Sequence, residues 1–184
     1  MKNEKIKEII REYLKHKDLY DSNIIRSIHT LNKEIQMQSE EFIDLADAVL
    51  PSSPDVPPSR TNNRIDASFA VLERYEKLKK DARENEIEIL NNKLDFLEFL
   101  TDLKKMYSDI SFIIMTLEPK KSLSVGIYMD GGKISEIANE LNCSYNTASN
   151  YLNNSIQFIE ECLDDDLKNK IAGKYDNYRN KIAA

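Results

Sequence analysis

From Asp66 to Glu118 neither proline nor glycine interrupts the chain, and one apolar rhythm runs through almost all of it. Steps of three and four residues from Val71 visit Tyr75, Leu78, Ala82, Asn85, Ile89, Asn92, Phe96, Phe99, Leu103, Met106, Ile110, Ile113 and Leu117, and only the two asparagines are polar. A strand would need period two, and a compact globular helix rarely sustains a seam so long. The pattern therefore predicts a long helix with a coiled-coil-like seam. At 1.5 Å per residue such a helix measures about 70 Å, so a bend near Tyr107–Ser111 is expected. Asn85 and Asn92 either sit in the seam, where buried Asn fixes register, or turn to solvent.

A second seam precedes it. Ile24, Ile28, Leu31, Ile35, Gln38, Phe42, Leu45 and Val49 alternate four- and three-residue steps, and Ile6, Ile9, Ile10, Tyr13 and Leu14 mark a shorter amphipathic helix before them. The polar stretch Lys15–Ser22 either hinges the two or continues them. Four of the five prolines fall in PSSPDVPPSRTNN, Pro51–Asn63, which breaks helix on both counts of proline chemistry. The expected architecture is all-α. Residues 1–117 form an antiparallel helical hairpin with its connector at 51–64, and a small module at 118–163 and a basic tail at 164–184 follow. Helices this charged rarely stand alone, so a homodimer or higher oligomer is expected. The run KLKKDAR, Lys77–Arg83, reads most simply as a solvated face.

Glycine supplies the exclusions. Four glycines in 184 residues is far below the average of about 7%, and neither G-x-G-x-x-G nor G-x-x-x-x-G-K-[ST] occurs. Nucleotide-binding sheets are therefore not expected. Two histidines and two cysteines without C-x-x-C give no multi-ligand metal site, and no cofactor is expected. Asp164-Asp165-Asp166 has carboxylates suited to Mg²⁺ but no partner nucleophile or base, so the chain is not read as an enzyme. Cys143 and Cys162 read as small buried hydrophobes in a reducing compartment. The N-terminal sequence lacks an apolar signal core, and apolar runs such as Phe112–Met115 reach only four residues. A cytoplasmic chain without a membrane span is expected.

After Leu117 the texture changes. Pro119 suits the first turn of a helix, and Asp130-Gly131-Gly132 turns the chain. Ile134, Ile137, Ala138 and Leu141 then make one helical face, Asn142 suits a left-handed helix end, and Ser144 suits the N-cap of the next helix. The inner side of that helix is Ala148, Leu152, Ile156, Ile159 and Leu163. A short helix, a tight turn and a second helix with a free outer face make a helix-turn-helix pattern. Tyr145, Asn146, Thr147, Ser149, Asn150 and Asn153 face outward near the start of the second helix, with Lys133 ahead of the first, and these are the candidate DNA-binding residues. Asn bonds adenine through two hydrogen bonds and Ser bonds either base type. Charge opposes the reading, because Lys133–Leu163 carries one Lys against Glu136, Glu140, Glu160 and Glu161. Phosphate neutralisation dominates DNA affinity. Positive charge gathers instead in Lys168, Lys170, Lys174, Arg179 and Lys181, which read equally as a backbone-contacting arm or a solvated end.

The block IYMDGGKISEIANELNCSYNTASNYLNNSIQFIEECL resembles the fourth conserved region of sigma factors, where a Ser-capped recognition helix follows Ile-Ala-x-x-Leu. A helical pair, a connector like PPSRTNNRID and such a module together resemble ArpU- and RinA-type late transcriptional regulators of phages and prophages in Gram-positive bacteria. Asn142 stands here where that family usually has Gly. The resemblance implies a regulator in the bacterial host cytoplasm that binds double-stranded DNA, with RNA polymerase as a candidate partner. A protein–protein interaction module whose helix-turn-helix reads no bases is the alternative.

Overall fold

The structure, a computed structural model, describes residues 2–47 and 62–182, and among them every regular element is α-helical. Helices α1 (Lys2–Lys15), α2 (Lys17–Asp47), α3 (Asn62–Thr116), α4 (Pro119–Met129), α5 (Ile134–Glu140), α6 (Tyr145–Cys162) and α7 (Asp165–Ile182) follow in order. No helix among the described residues is long and apolar enough to cross a membrane. Most of the expected connector lies outside the described residues, as do the side chains of Phe42, Leu45, Val49, Val71, Tyr75, Leu78 and Ala82. Helix α3 already begins at Asn62, inside the segment assigned to the connector, and Tyr107–Ser111 lies within its continuous span.

The chain divides into two compact units, residues 1–29 with 97–184 and residues 30–96. This division falls inside α2 and α3 rather than at Leu117, because α1 packs against α4, α6 and α7 instead of extending a stem. All five apolar positions of α1 are buried, together with Tyr20 and Ile24 of α2. The polar stretch after α1 is a hinge of one residue: His16 N–H is shared between the Glu12 and Tyr13 carbonyls at 3.2 and 3.1 Å.

Phe99, Leu100, Leu103, Met106, Tyr107 and Ile110 bring the C-terminal half of α3 into the same core. Tyr13 stacks on Tyr107 with ring centroids 3.8 Å apart and shares a 3.1 Å hydrogen bond with Ser111, while Tyr20 meets the Tyr107 ring edge-on at 6.1 Å. Such aromatic pairs contribute about 0.5–1.5 kcal/mol beyond their buried area. The buried Tyr107 hydroxyl has no hydrogen-bond partner among the described residues.

The segment read as a basic tail is a docked helix. Leu167, Ile171, Ala172, Tyr175 and Ile182 are buried, and Asp164 caps α7 by accepting the Leu167 N–H at 2.8 Å. The Asp164-Asp165-Asp166 cluster thus has a structural use, since carboxylates favour a helix N-terminus. The cysteine expectation also changes. Cys162 is exposed and Cys143 half-buried, because Cys162 lies off the face defined by Ile156, Ile159 and Leu163.

The unit of residues 30–96 has a different character. Lys93 pairs with Glu34 at 2.8 Å, bringing α2 and α3 together there. None of its described side chains is buried, and Asn85 and Asn92 face solvent. Of the two readings of those asparagines, exposure is the one observed.

Candidate nucleic-acid interface

Two successive helix ends set up the region around α6. Helix α4 stops when Gly131 takes φ +82°, with Gly131 N–H on the Tyr128 carbonyl at 3.2 Å and Gly132 N–H on Ile127 at 2.9 Å. Helix α5 stops in the same way. Asn142 takes φ +49°, with Asn142 N–H on Asn139 at 3.2 Å and Cys143 N–H on Ala138 at 3.0 Å. This doubled bond pattern around a left-handed residue is the Schellman arrangement, which satisfies orphan carbonyls at a helix end. Asn is among the few non-glycine residues that tolerate that conformation. Gly132 is required for another reason: a Cβ there would lie 2.7 Å from the Ile127 carbonyl oxygen and 2.5 Å from its side chain.

Ser144 then caps α6. Its hydroxyl accepts the Thr147 N–H at 3.2 Å and lies 2.9 Å from the Thr147 hydroxyl. Ala148, Leu152, Ile156, Ile159 and Leu163 are all buried, as their spacing requires, and α6 packs against α1, α4 and α5. On α5, Ile137 and Ala138 are buried while Ile134 and Leu141 are only half-buried.

The candidate site residues fall into two places. Tyr145, Asn146, Thr147, Ser149, Asn150 and Asn153 share the first turns of α6, all exposed except half-buried Ser149. Tyr145 retains 58% of its accessible surface, an unusual exposure for an aromatic side chain. Thr147 is the member with a structural duty, through its bonds to Ser144. Asn153 donates to the Ser149 hydroxyl at 3.4 Å. Lys133 is exposed at the N-cap position of α5, the end of that helix away from the turn into α6. From Tyr145 to Asn154 no residue is charged, so this face offers donors, acceptors and one ring but no ion.

Charge around it is arranged differently from the sequence count. Glu160 is buried and paired with Lys168 at 3.3 Å, while Lys168 also meets Asp165 at 2.7 Å. Burial penalises the Lys168 ammonium, yet its bonds to Asp165 and Glu160 outweigh that and raise its pKa. Lys174 pairs with Glu98 at 3.2 Å, Arg179 with Glu12, and Lys181 lies over the Tyr178 ring. Lys168, Lys174 and Arg179 thus hold α7 to other helices of its own unit rather than forming a free arm, while the Lys181 contact is internal to α7. Beside the turn, Lys121 pairs with Glu118 at 3.4 Å.

No protein-family model, curated protein or solved structure matches this chain. What the site can do follows from its own geometry.

One neighbour of the α6 face was not legible in the local motif. Arg11 of α1 donates to the Asn153 side-chain oxygen at 3.4 Å, and Lys15 lies 5.4 Å from the Tyr128 ring centroid on α4. The spacing of α1 shows that it must bury one face, but carries no signal that the covering element is α6.

Proposed function

We propose that this protein is a DNA-binding transcription regulator of the ArpU and RinA type. Helix α6 enters a major groove near a promoter, within the cytoplasm of a bacterial host. The observation that carries the reading is the exposed row Tyr145, Asn146, Asn150 and Asn153 on the opening turns of a helix whose N-terminus is capped by Ser144. Amide side chains there match adenine edges, and the exposed ring suits a thymine methyl or a sugar. The half-site is doubled by pairing two copies through residues 30–96. Met37, Ile87, Ile89 and Leu94 are exposed there, and none of that unit's described side chains is buried.

Selection from a random duplex library at low salt tests the reading. An enriched sequence is expected, and Asn146→Ala with Asn150→Ala abolishes the preference, each amide–adenine pair removed costing about 1–3 kcal/mol of discrimination. A library that returns no enriched sequence overturns it.

A second reading is favoured by one observation: Glu136, Glu140 and Glu161 are exposed around the neutral face. In that reading the same helices dock on RNA polymerase without reading bases. Binding of purified polymerase that survives nuclease treatment and the double asparagine change selects this second reading over the first.

A further inference from the structure

Helix α1 carries two charged lines of i, i+4 spacing, Glu4–Glu8–Glu12 and Lys7–Arg11–Lys15. Folding turns them to different neighbours. The acidic line faces α7, where Glu12 accepts from Tyr175 at 2.9 Å and pairs with Arg179. Two members of the basic line face the helices of the candidate interface, Arg11 bonding Asn153 of α6 and Lys15 lying over Tyr128 of α4, while Lys7 pairs with Glu4 of the acidic line at 3.9 Å. Helix α1 packs on both α4 and α6. Neither Arg11 nor Lys15 has a carboxylate within ion-pair distance among the described residues, in contrast to Lys168, Lys174 and Arg179 on α7.

We propose that α1 supplies the phosphate-binding cations of the interface, with Arg11 and Lys15 gripping the DNA backbone beside the groove that α6 reads. This rests on the DNA-binding reading above and assigns the part of it that the α5–α6 segment lacks. A neutral reading face can distinguish bases but gains little affinity from them, because phosphate neutralisation and counterion release supply most of the affinity for a duplex. Backbone contacts also fix the register of a recognition helix, and here the Arg11–Asn153 bond ties the two functions together. A guanidinium, with five donors in a planar fork, engages Asn153 and a phosphate at once. Lys15 is exposed and acts as a point charge.

The test uses the full chain and a labelled mixed-sequence duplex of about 25 base pairs, titrated across potassium chloride from about 20 to 200 mM. Wild type binds with a salt slope, and Arg11→Gln with Lys15→Gln lowers that slope by about 1.8, or about 0.9 for each phosphate no longer neutralised. Arg11→Lys with Lys15→Arg restores it, because the slope counts charges rather than shapes. Circular dichroism confirms that each variant folds. A double Gln variant that is folded and keeps the wild-type slope overturns the assignment of α1 while leaving DNA binding intact. Failure of wild type to bind the duplex at the lowest salt overturns both this assignment and the reading it rests on.

Discussion

The two units are built from the same helical material and the same seam, yet they use it differently. In the C-terminal half of α3 the positions Phe99, Leu103, Met106 and Ile110 are buried, and α1, the start of α2 and α7 meet this half through Tyr13, Tyr20 and Tyr178. In the N-terminal half, Asn85, Ile89 and Asn92 continue the identical step pattern and are exposed, and Ile89 keeps 49% of its accessible surface. Periodicity states which residues share a face. Whether anything covers that face depends on elements far away in sequence, and among the described residues the buried ones all belong to the first unit.

The contrast gives its largest measurable effect on truncation. Phe99→Ala or Met106→Ala removes a fully buried side chain and is expected to cost about 2–5 kcal/mol, since transfer energy and a residual cavity add. Ile89→Ala in dilute protein is expected to change stability by no more than about 0.5 kcal/mol, the usual range for an exposed site. Chemical denaturation at low concentration reads both. A core-sized loss at Ile89 under those conditions breaks the comparison, whereas a loss that grows with protein concentration shows the second unit assembled with another copy.

Alkaline pH sharpens the comparison from the other side. Burial raises the pKa of Tyr13, Tyr107 and Tyr175 above the ordinary value of 10.0, with neighbouring tyrosines adding to it at Tyr107 and Tyr175. The unfolded chain ionises near pH 10 while the folded unit keeps neutral hydroxyls. This contribution is therefore fully present below about pH 10 and is lost as pH rises beyond it, by about 1.4 kcal/mol per tyrosine per pH unit. Unfolding midpoints between about pH 9 and pH 11 follow the loss, with tyrosinate absorbance as the direct readout. Replacing all three by Phe flattens the dependence. A triple variant as alkali-sensitive as wild type removes these tyrosines as the cause.

Much of the first unit was legible in the sequence, and for one reason: helices with a single buried face print that face at a spacing of three and four. The five positions of α1, the five inner positions of α6, the Asn142 helix end and the Ser144 cap all occupy their expected places. Helix α7 carries the same signal beneath a different surface. Leu167, Ile171, Tyr175, Tyr178 and Ile182 are spaced four, four, three and four, but five basic residues between them give the segment the look of a solvated tail. The destinations of those charges were not legible at all. Lys174 to Glu98 spans 76 residues and Arg179 to Glu12 spans 167, and pairings across such distances follow from tertiary packing that no local window contains. The same holds for Arg11 beside Asn153, 142 residues apart, which is why the charge deficit of the α5–α6 segment reads, in sequence, as a defect of the motif.

The smallest expected effect concerns the asparagines that interrupt the seam. An Asn kept inside a coiled-coil interface costs stability but specifies register, while an Asn on an uncovered face costs almost nothing. Asn92 is exposed within its own chain, so Asn92→Leu in dilute protein is expected to shift stability by no more than about 0.5 kcal/mol. If two copies pair along residues 30–96, Leu at this position makes the seam from Ile89 to Phe96 continuous and tightens self-association, as sedimentation equilibrium would record. Tighter association without a change in dilute stability places Asn92 at an interface between copies, where an amide weakens assembly. A shift above about 1 kcal/mol in dilute protein would mean that the chain's own residues cover this position. The two halves of α3 would then differ in composition rather than in burial.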